Sequence, residues 1–268
     1  MLIDLHTHTT ASDGALTAGQ LTLEAARAGI ELLSITDHDS VAAYADVTVP
    51  PALTLVTGIE LSALWAGRGI HVVGLDVDAS ALAEPVRRQT AARERRAERI
   101  VTRLAKRGIK LDLDRIRERA DGAAIGRPHI AAEMLASGAV GDLRTAFRKY
   151  LGPGKAGDVK NEWPDLDVVI DWIRAADGSA VLAHPLRYRL TRSKLELLAA
   201  DFRSAGGAAV ELISGPATAP EISAIADLAE RHNFTVSLGS DFHAPVPWRR
   251  LGVDSTRIGR LIPVWDRW

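Results

Sequence analysis

Short β-rich runs alternate with amphipathic segments along most of this 268-residue chain, which directs it toward successive βα units around a largely parallel sheet. Strands are expected at 2–6, 30–38, 53–62, 70–77, 180–184, 209–214 and 235–241. Apolar spacing marks helices at 17–28, 165–176, 193–205 and 220–232. Seven strands suit an α/β barrel slightly smaller than the usual one, with an open doubly wound sheet as the alternative. A hydrophobic content of 47% supplies a full core at this length.

One connection breaks the alternation. Only a short link containing Ala66-Gly67-Arg68-Gly69 separates Ser62 from Ile70, whereas a parallel crossover needs about a dozen residues or more. The run at 70–77 should therefore lie antiparallel to its predecessor. His71 would open it at the same end of the sheet as Glu60, which would close the strand before. From Ala81 to Gly152 the β pattern stops, and residues 81–152 read as a helical insertion between barrel segments 1–80 and 153–268. Its stretch 84–121 carries Arg87, Arg88, Arg93, Arg95, Arg96, Arg99 and Arg103. Most of these are expected on a solvated helix face, laced to acids such as Glu94 and Glu98, rather than on nucleic acid.

Lysine and arginine (33) nearly balance aspartate and glutamate (34), so no global field attracts nucleic acid or an anionic membrane. Anion binding has to be local. Cysteine is absent, which leaves His, Asp and Glu as the strong side-chain metal ligands. The opening MLIDLHTH lacks the basic and apolar regions of a signal peptide, and no segment approaches a membrane span, so a cytoplasmic protein is expected. No obligate protein partner is evident. Trp163, Trp172, Trp248, Trp265 and Trp268 read as packing residues.

On the strand map the ligand-type residues gather at one end. His6 and His8 follow the first strand, His38 the second, Glu60 the third, His184 the fifth, and Asp241 and His243 the last. Asp13 in the first loop and His71 in the hairpin bring the set to nine. In parallel βα architectures that end is where active-site loops converge. Singly, each residue has an ordinary role as a hydrogen-bonded histidine, a turn or a helix cap. Together they do not, because six of the eight histidines fall at strand ends and only His129 and His232 lie elsewhere. Nine donors exceed the needs of one ion; two or three divalent ions sharing a carboxylate would use them. Such clusters lower the pKa of a bridging water and clamp a phosphoryl oxygen. Mn, Zn, Fe and Mg are all compatible with a mixed set of this kind.

HTH with SDG, ITDHD, GIE, IHVVG, LAHP and GSDFH, in that order over nearly the whole chain, resemble the motifs of the polymerase and histidinol phosphatase (PHP) family of metal-dependent phosphoesterases. The resemblance implies a distorted seven-stranded barrel with a trinuclear site, most naturally of manganese. It places His6, His8, Glu60 and Asp241 on one ion, Glu60, His71 and His184 on a second, and Asp13, His38 and His243 on a third. IGRPHIA (125–131), YLGPGKAG (150–157), LAHPLRY and GSDFHAPVPW are similar to the branch containing nucleoside 3′,5′-bisphosphate phosphatases and a 5′-to-3′ exoribonuclease. In that branch the insertion caps the metal site, and the likeness assigns Arg127, His129, Lys155 and Arg187 to substrate phosphates. After the Gly-Lys pair, relatives tend to carry an aromatic and a proline, where this chain has Asp158 and Lys160.

The implied activity is hydrolysis of a nucleotide phosphate ester, either a 3′,5′-bisphosphate or short 5′-phosphorylated RNA, by a metal-bridging hydroxide. Arg127, His129 and Arg187 would position the phosphoryl group, with His129 protonating the leaving oxygen. A phosphatase of another small metabolite, a C–N amidohydrolase on a similar barrel, and a noncatalytic binding module are the rivals.

Overall fold

The computed structural model describes residues 1–159, 162–248 and 250–268. Its strands are β1 (Leu2–Thr7), β2 (Leu32–Ile35), β3 (Thr54–Trp65), β4 (Arg68–Leu75), β5 (Ser179–Leu182), β6 (Ala209–Ser214), β7 (Thr235–Gly239) and β8 (Val253–Asp254). The helices are α1 (Ala18–Arg27), α2 (Ala83–Ala105), α3 (Leu113–Ala120), α4 (Arg127–Ala136), α5 (Leu143–Ala146), α6 (Leu166–Ala175), α7 (Arg192–Ser204) and α8 (Ala219–His232). All eight strands belong to one sheet in the order β7-β6-β5-β4-β3-β2-β1-β8. The expected count of seven is thus one short. The eighth strand has two residues, paired antiparallel to Leu2 and Ile3, and is too brief to show a period of two in the sequence.

The sheet curls until its first and last parallel strands nearly meet. Thr7 bridges Phe242 just beyond β7, and the amide of His8 donates to the Phe242 carbonyl at 2.8 Å. A Cβ on Gly239 would lie 2.4 Å from that of His6, so only glycine lets this seam draw together.

The short link after Ser62 does make a hairpin, and β4 runs antiparallel to β3. Ala66 (φ 46°) and Gly67 (φ 72°) form its two-residue tip, both left-handed as a twisted hairpin requires. Because β3 continues to Trp65 and β4 starts at Arg68, two expected positions shift. Glu60 lies within β3 rather than at its end, and His71 sits inside β4, opposite Ser62. β4 is also antiparallel to β5, while β5, β6 and β7 pair in parallel.

Packing divides into separate apolar clusters. Ile59, Leu61, Val72, Ile170, Ile173, Phe202 and Val210 belong to the cluster joining the sheet to α6, α7 and α8. Helices α2 to α5 enclose their own core around Ile100, Leu104, Ile116, Ile130 and Met134, joined by Val159 beyond α5. The buried stripe of α2 reads Leu82, Gln89, Arg93, Arg96, Ile100 and Leu104, with half-buried Val86 in the same phase. Steps of three and four keep these residues on one face. That face is apolar at both ends and polar in the middle, where it crosses the open end of the barrel. Among the described residues no helix is long and apolar enough to cross a membrane.

Candidate metal centre and substrate cavity

Alternation along β1 puts Asp4, His6 and, one step beyond the strand, His8 on a common face. The face points at Glu60. Its Oε1 lies 2.9 Å from both His71 Nδ1 and His184 Nε2, and its Oε2 lies 2.9 Å from His38 Nδ1 and 3.3 Å from Nε2 of His6 and of His8. One fully buried carboxylate therefore meets five imidazoles. Asp241 Oδ1 is 3.2 Å from His8 Nε2 and 3.6 Å from His6 Nε2. Asp13 stands 3.4 Å from His243 Nε2, 3.8 Å from His8 Nδ1 and 3.9 Å from His38 Nε2.

Glu60 Oε1 is hydrogen-bonded to His71 Nδ1 and His184 Nε2, but much of the remaining proximity is not hydrogen bonding. His6 Nε2, both ring nitrogens of His8, His38 Nδ1, His184 Nδ1 and Glu60 Oε2 are buried without a hydrogen-bond partner. Each such orphan costs about 1–3 kcal/mol in a folded protein. Four donor groups each converge within 4.8 Å: His8-Asp13-His38-His243, His6-His8-Asp241, His6-Glu60-His184 and His38-Glu60-His71. Inward-facing lone pairs of nitrogen and carboxylate oxygen suit a divalent cation, which would satisfy several orphans at once.

Electrostatics fit the same geometry. Burial would raise the Glu60 carboxyl, but His38, His71 and His6 hold it well below its ordinary range. Burial, reinforced by the neighbouring His243, pushes His8 down to about 3. Burial likewise takes His71 down to about 4 despite Glu60. His243 is pulled down by burial yet lifted to about 9 by Asp13 and Asp241. A neutral His8 and an ionised Glu60 are in the states a metal ligand needs.

Above this floor opens a cavity of about 670 Å³. Asp13, His38 and His71 reach its base, and its walls carry Arg68, Arg93, Arg96, Arg127, Arg187 and Arg189 with Trp163 and Tyr188. The guanidinium carbons of Arg93 and Arg96 lie 5.3 and 5.2 Å from the centre of the Trp163 ring.

No family model matches the chain. It is 38% identical to a 5′-3′ exoribonuclease of Haemophilus influenzae over 98% of both chains. It is 39% identical to a 3′,5′-nucleoside bisphosphate phosphatase of Chromobacterium violaceum, covering 91% of this chain and 87% of that one. Among solved structures, one from Chromobacterium violaceum, described as an amidohydrolase with bound sulfate and no metal, superposes with a TM-score of 0.86 at 37% identity, covering 99% and 95% of the two chains. Another, described as a metal-dependent phosphoesterase from Bifidobacterium adolescentis, gives a TM-score of 0.80 at 26% identity over 97% and 94%. The chain belongs to the PHP family of metal-dependent phosphoesterases. It is a phosphoric ester hydrolase.

All nine candidate ligands of this PHP enzyme converge on the one floor. Of the four residues assigned to phosphate, Arg127 and Arg187 line the cavity. Arg127 donates to the Leu151 carbonyl at 3.3 Å, and Arg187 pairs with Asp241 Oδ2. His129 and Lys155 are not among the lining residues. The Nδ1 of His129 accepts the Gly126 amide at 3.0 Å, capping α4, while Lys155 is exposed on the loop after Gly152. Asp158 lines the cavity and accepts the Gly154 amide at 2.7 Å; Lys160 lies outside the described residues.

Sequence reasoning missed the supports of the PHP floor. Glu211 accepts from the main-chain amide of His184 at 2.6 Å and holds His6 Nδ1 at 2.9 Å, fixing one ring and the backbone that carries another through one carboxylate. It is the lone charge in the apolar strand AVELIS, which was the available signal. Asp37 accepts from the amide and hydroxyl of Thr9 and from Ser12, tying down the loop that carries Asp13. Asp4 accepts the Ser240 amide at 2.8 Å beside Asp241. His184 (φ 30°), Asp39 (φ 53°) and Asp241 (φ 50°) adopt left-handed backbone, which His and Asp enter more readily than most other non-glycine residues.

The cavity refines one expectation and corrects another. Most of the arginine run is exposed as expected, at Arg87, Arg88, Arg95, Arg99 and Arg103, but Arg93 and Arg96 are buried. Arg93 pairs with Asp39 at 2.6 Å and also donates to the Ile125 carbonyl, joining α2 and the start of α4 to the His38 loop. Their phase with Leu82, Ile100 and Leu104 distinguishes them from the other arginines. Trp163 faces the cavity rather than serving only as core, and Trp248 is 73% exposed.

Proposed function

We propose that this enzyme hydrolyses phosphate esters of nucleotides, taking nucleoside 3′,5′-bisphosphates and short 5′-phosphorylated RNA from its 5′ end. The observation that carries this reading is the six-arginine wall directly above the histidine floor. Guanidinium forks match phosphate oxygens, and a chain with a net charge of -1 has no reason to concentrate them there without an anionic ligand. The names of the exoribonuclease and bisphosphatase relatives, and the sulfate in the structural neighbour, support it.

In this reading His6, His8, Glu60 and Asp241 hold one ion, Glu60, His71 and His184 a second, and Asp13, His38 and His243 a third. We favour manganese; iron and zinc also suit imidazole, and magnesium suits it less. Bound ions of this kind lower the pKa of water and withdraw charge from a phosphoryl group. Glu60 shares its two oxygens among the imidazoles and so sets the spacing of the whole donor set. Arg127 and Arg187 fix nonbridging oxygens from opposite sides. His129 is neutral at rest, since burial holds its pKa below the ordinary value despite Asp13. To protonate the leaving oxygen from Nε2 the ring must first become imidazolium, with Nδ1 taking up a proton in place of the bond it accepts from Gly126. Lys155 contributes at the rim. Residues 81–152 act as a cap on a barrel formed by 1–80 and 153–268, a division supported by the cap's separate apolar core. A phosphorylated nucleotide or RNA substrate fits work in the cytoplasm.

Purified, manganese-loaded protein should be screened against bisphosphorylated and monophosphorylated nucleotides, sugar phosphates, and RNA phosphorylated at either end. Preference for the doubly phosphorylated nucleotide or the 5′-phosphorylated RNA is expected. Preference for a sugar phosphate would redirect the enzyme to another metabolite, and no turnover would reject the reading. His129→Asn should lower turnover with ion content unchanged; an undiminished rate would remove its proton-donor role.

A further inference from the structure

The six wall arginines differ in how far the protein has already committed them. Arg93 and Arg187 face carboxylates, those of Asp39 and Asp241. Arg96 and Arg127 donate to main-chain carbonyls, of Val159 and Leu151. Arg68 and Arg189 have no ion-pair or hydrogen-bond partner for their guanidinium groups among the described residues. Both of these uncommitted arginines belong to barrel segments, Arg68 opening β4 and Arg189 following β5, whereas Arg93, Arg96 and Arg127 are carried by α2 and α4.

Their backbones are nonetheless fixed. Arg68 is the first residue after the two-residue hairpin tip, in register with buried Trp65, whose indole donates to Asp201 at 2.8 Å. Arg189 follows Tyr188, whose hydroxyl accepts the His71 amide at 2.9 Å and donates to the Ala183 carbonyl at 3.0 Å. Arg189 itself sits in a left-handed turn at φ 49°, bonded back to Leu186. The tyrosine thus fastens the Arg189 turn against the strand that Arg68 begins.

Arg68 and Arg189 are exposed, so water carries their charge, and their guanidinium forks remain open to an anion in a way that those of the paired Arg93 and Arg187 are not. The reacting phosphate belongs over the floor, within reach of the committed arginines. We propose that Arg68 and Arg189 form a separate rim subsite for the internucleotide phosphates of an oligoribonucleotide, downstream of the reacting one. This pair sets the preference for RNA over a single nucleotide. The inference rests on the nucleotide phosphoesterase reading above.

The test compares manganese-loaded wild type with Arg68→Ala, Arg189→Ala and the double variant on two substrates: a nucleoside 3′,5′-bisphosphate and a 5′-phosphorylated tetraribonucleotide. Binding of a fluorescent tetraribonucleotide is followed in parallel over a salt series, and Arg68→Lys with Arg189→Lys controls for folding and charge. In the double variant the ratio of kcat/KM for the tetranucleotide to that for the bisphosphate should fall at least tenfold. The slope of log affinity against log salt should drop by roughly 1.4, the value for two lost contacts on a single strand. The double lysine variant should retain most of both. If wild type turns over both substrates and the ratio and slope survive the alanine changes, the rim subsite is wrong and the nucleotide reading stands. If wild type turns over neither but its tetranucleotide binding weakens with the alanine changes, the subsite stands and the proposed activity fails. Neither turnover nor binding would sink both.

Discussion

On the floor of the cavity one carboxylate, Glu60, meets five imidazoles whose facing atoms make few hydrogen bonds with one another. Along the walls, six arginines run from buried and paired, as Arg93 is, to unpartnered, as Arg68 is. The two regions are incomplete in opposite senses. The floor has surplus lone pairs and calls for cations; the walls have surplus positive charge and call for anions. A phosphate ester joined to divalent ions answers both demands, which is why the two surfaces face each other.

The largest expected effect strikes the floor. Glu60→Gln should remove bound ions and lower activity by at least about 10³-fold, measured by elemental analysis beside phosphate release. Full ion content in that variant would mean the floor is not organised around Glu60. Next comes the tie between the two regions. Arg93→Met leaves Asp39 charged and buried, a loss of about 3–5 kcal/mol in urea unfolding, and adding Asp39→Asn should restore part of it. Equal losses in the single and double variants would show that the pair does not join wall to floor.

A third expectation concerns pH in the metal-free protein. His243 takes up its proton more readily when folded, its pKa lying near 9 against 6.5. Its stabilising contribution is therefore complete below about pH 6.5 and disappears as pH rises to about 9, amounting to at most roughly 3 kcal/mol. Loaded protein should show the reverse slope, because the donors must shed protons to hold ions. Thermal midpoints across that window, with chelator and with manganese, measure both, and His243→Gln should flatten the metal-free curve. The smallest effect belongs to the outermost charge. Lys155→Ala should change KM by less than about fivefold, as expected for an exposed cation; a larger rise would extend the wall out to the loop after Gly152.

The floor was legible because strand periodicity and chain order bring residues to one end of the sheet even where strand limits are missed, as at Glu60 and His71. His6, His8, Asp13, His38, Glu60, His71, His184, Asp241 and His243 could all be placed there from the sequence. Wall residues were harder to read, since an arginine in a helix is placed by its phase against neighbours that are themselves polar here. Arg93 and Arg96 share the stripe of Leu82 and Ile100, but counting the run as one charged block hides the phase. Glu211 and Asp4 were missed because a carboxylate supporting a histidine contacts it across the fold. His6 and Glu211 lie 205 residues apart. Hairpin length escaped for a local reason: the left-handed pair Ala66 and Gly67 permits a tighter tip than four link residues suggest.

The seam where Gly239 admits His6 joins the beginning of the chain to its end, and Asp4 reaches across it to Ser240, 236 residues away. A polypeptide emerging from the ribosome can form its hairpin and its helical segment early. It cannot assemble the cation nest until β7 and the Asp241 loop have cleared the exit tunnel. Half-made copies of this hydrolase therefore lack the complete donor set until the last parallel strand is in place.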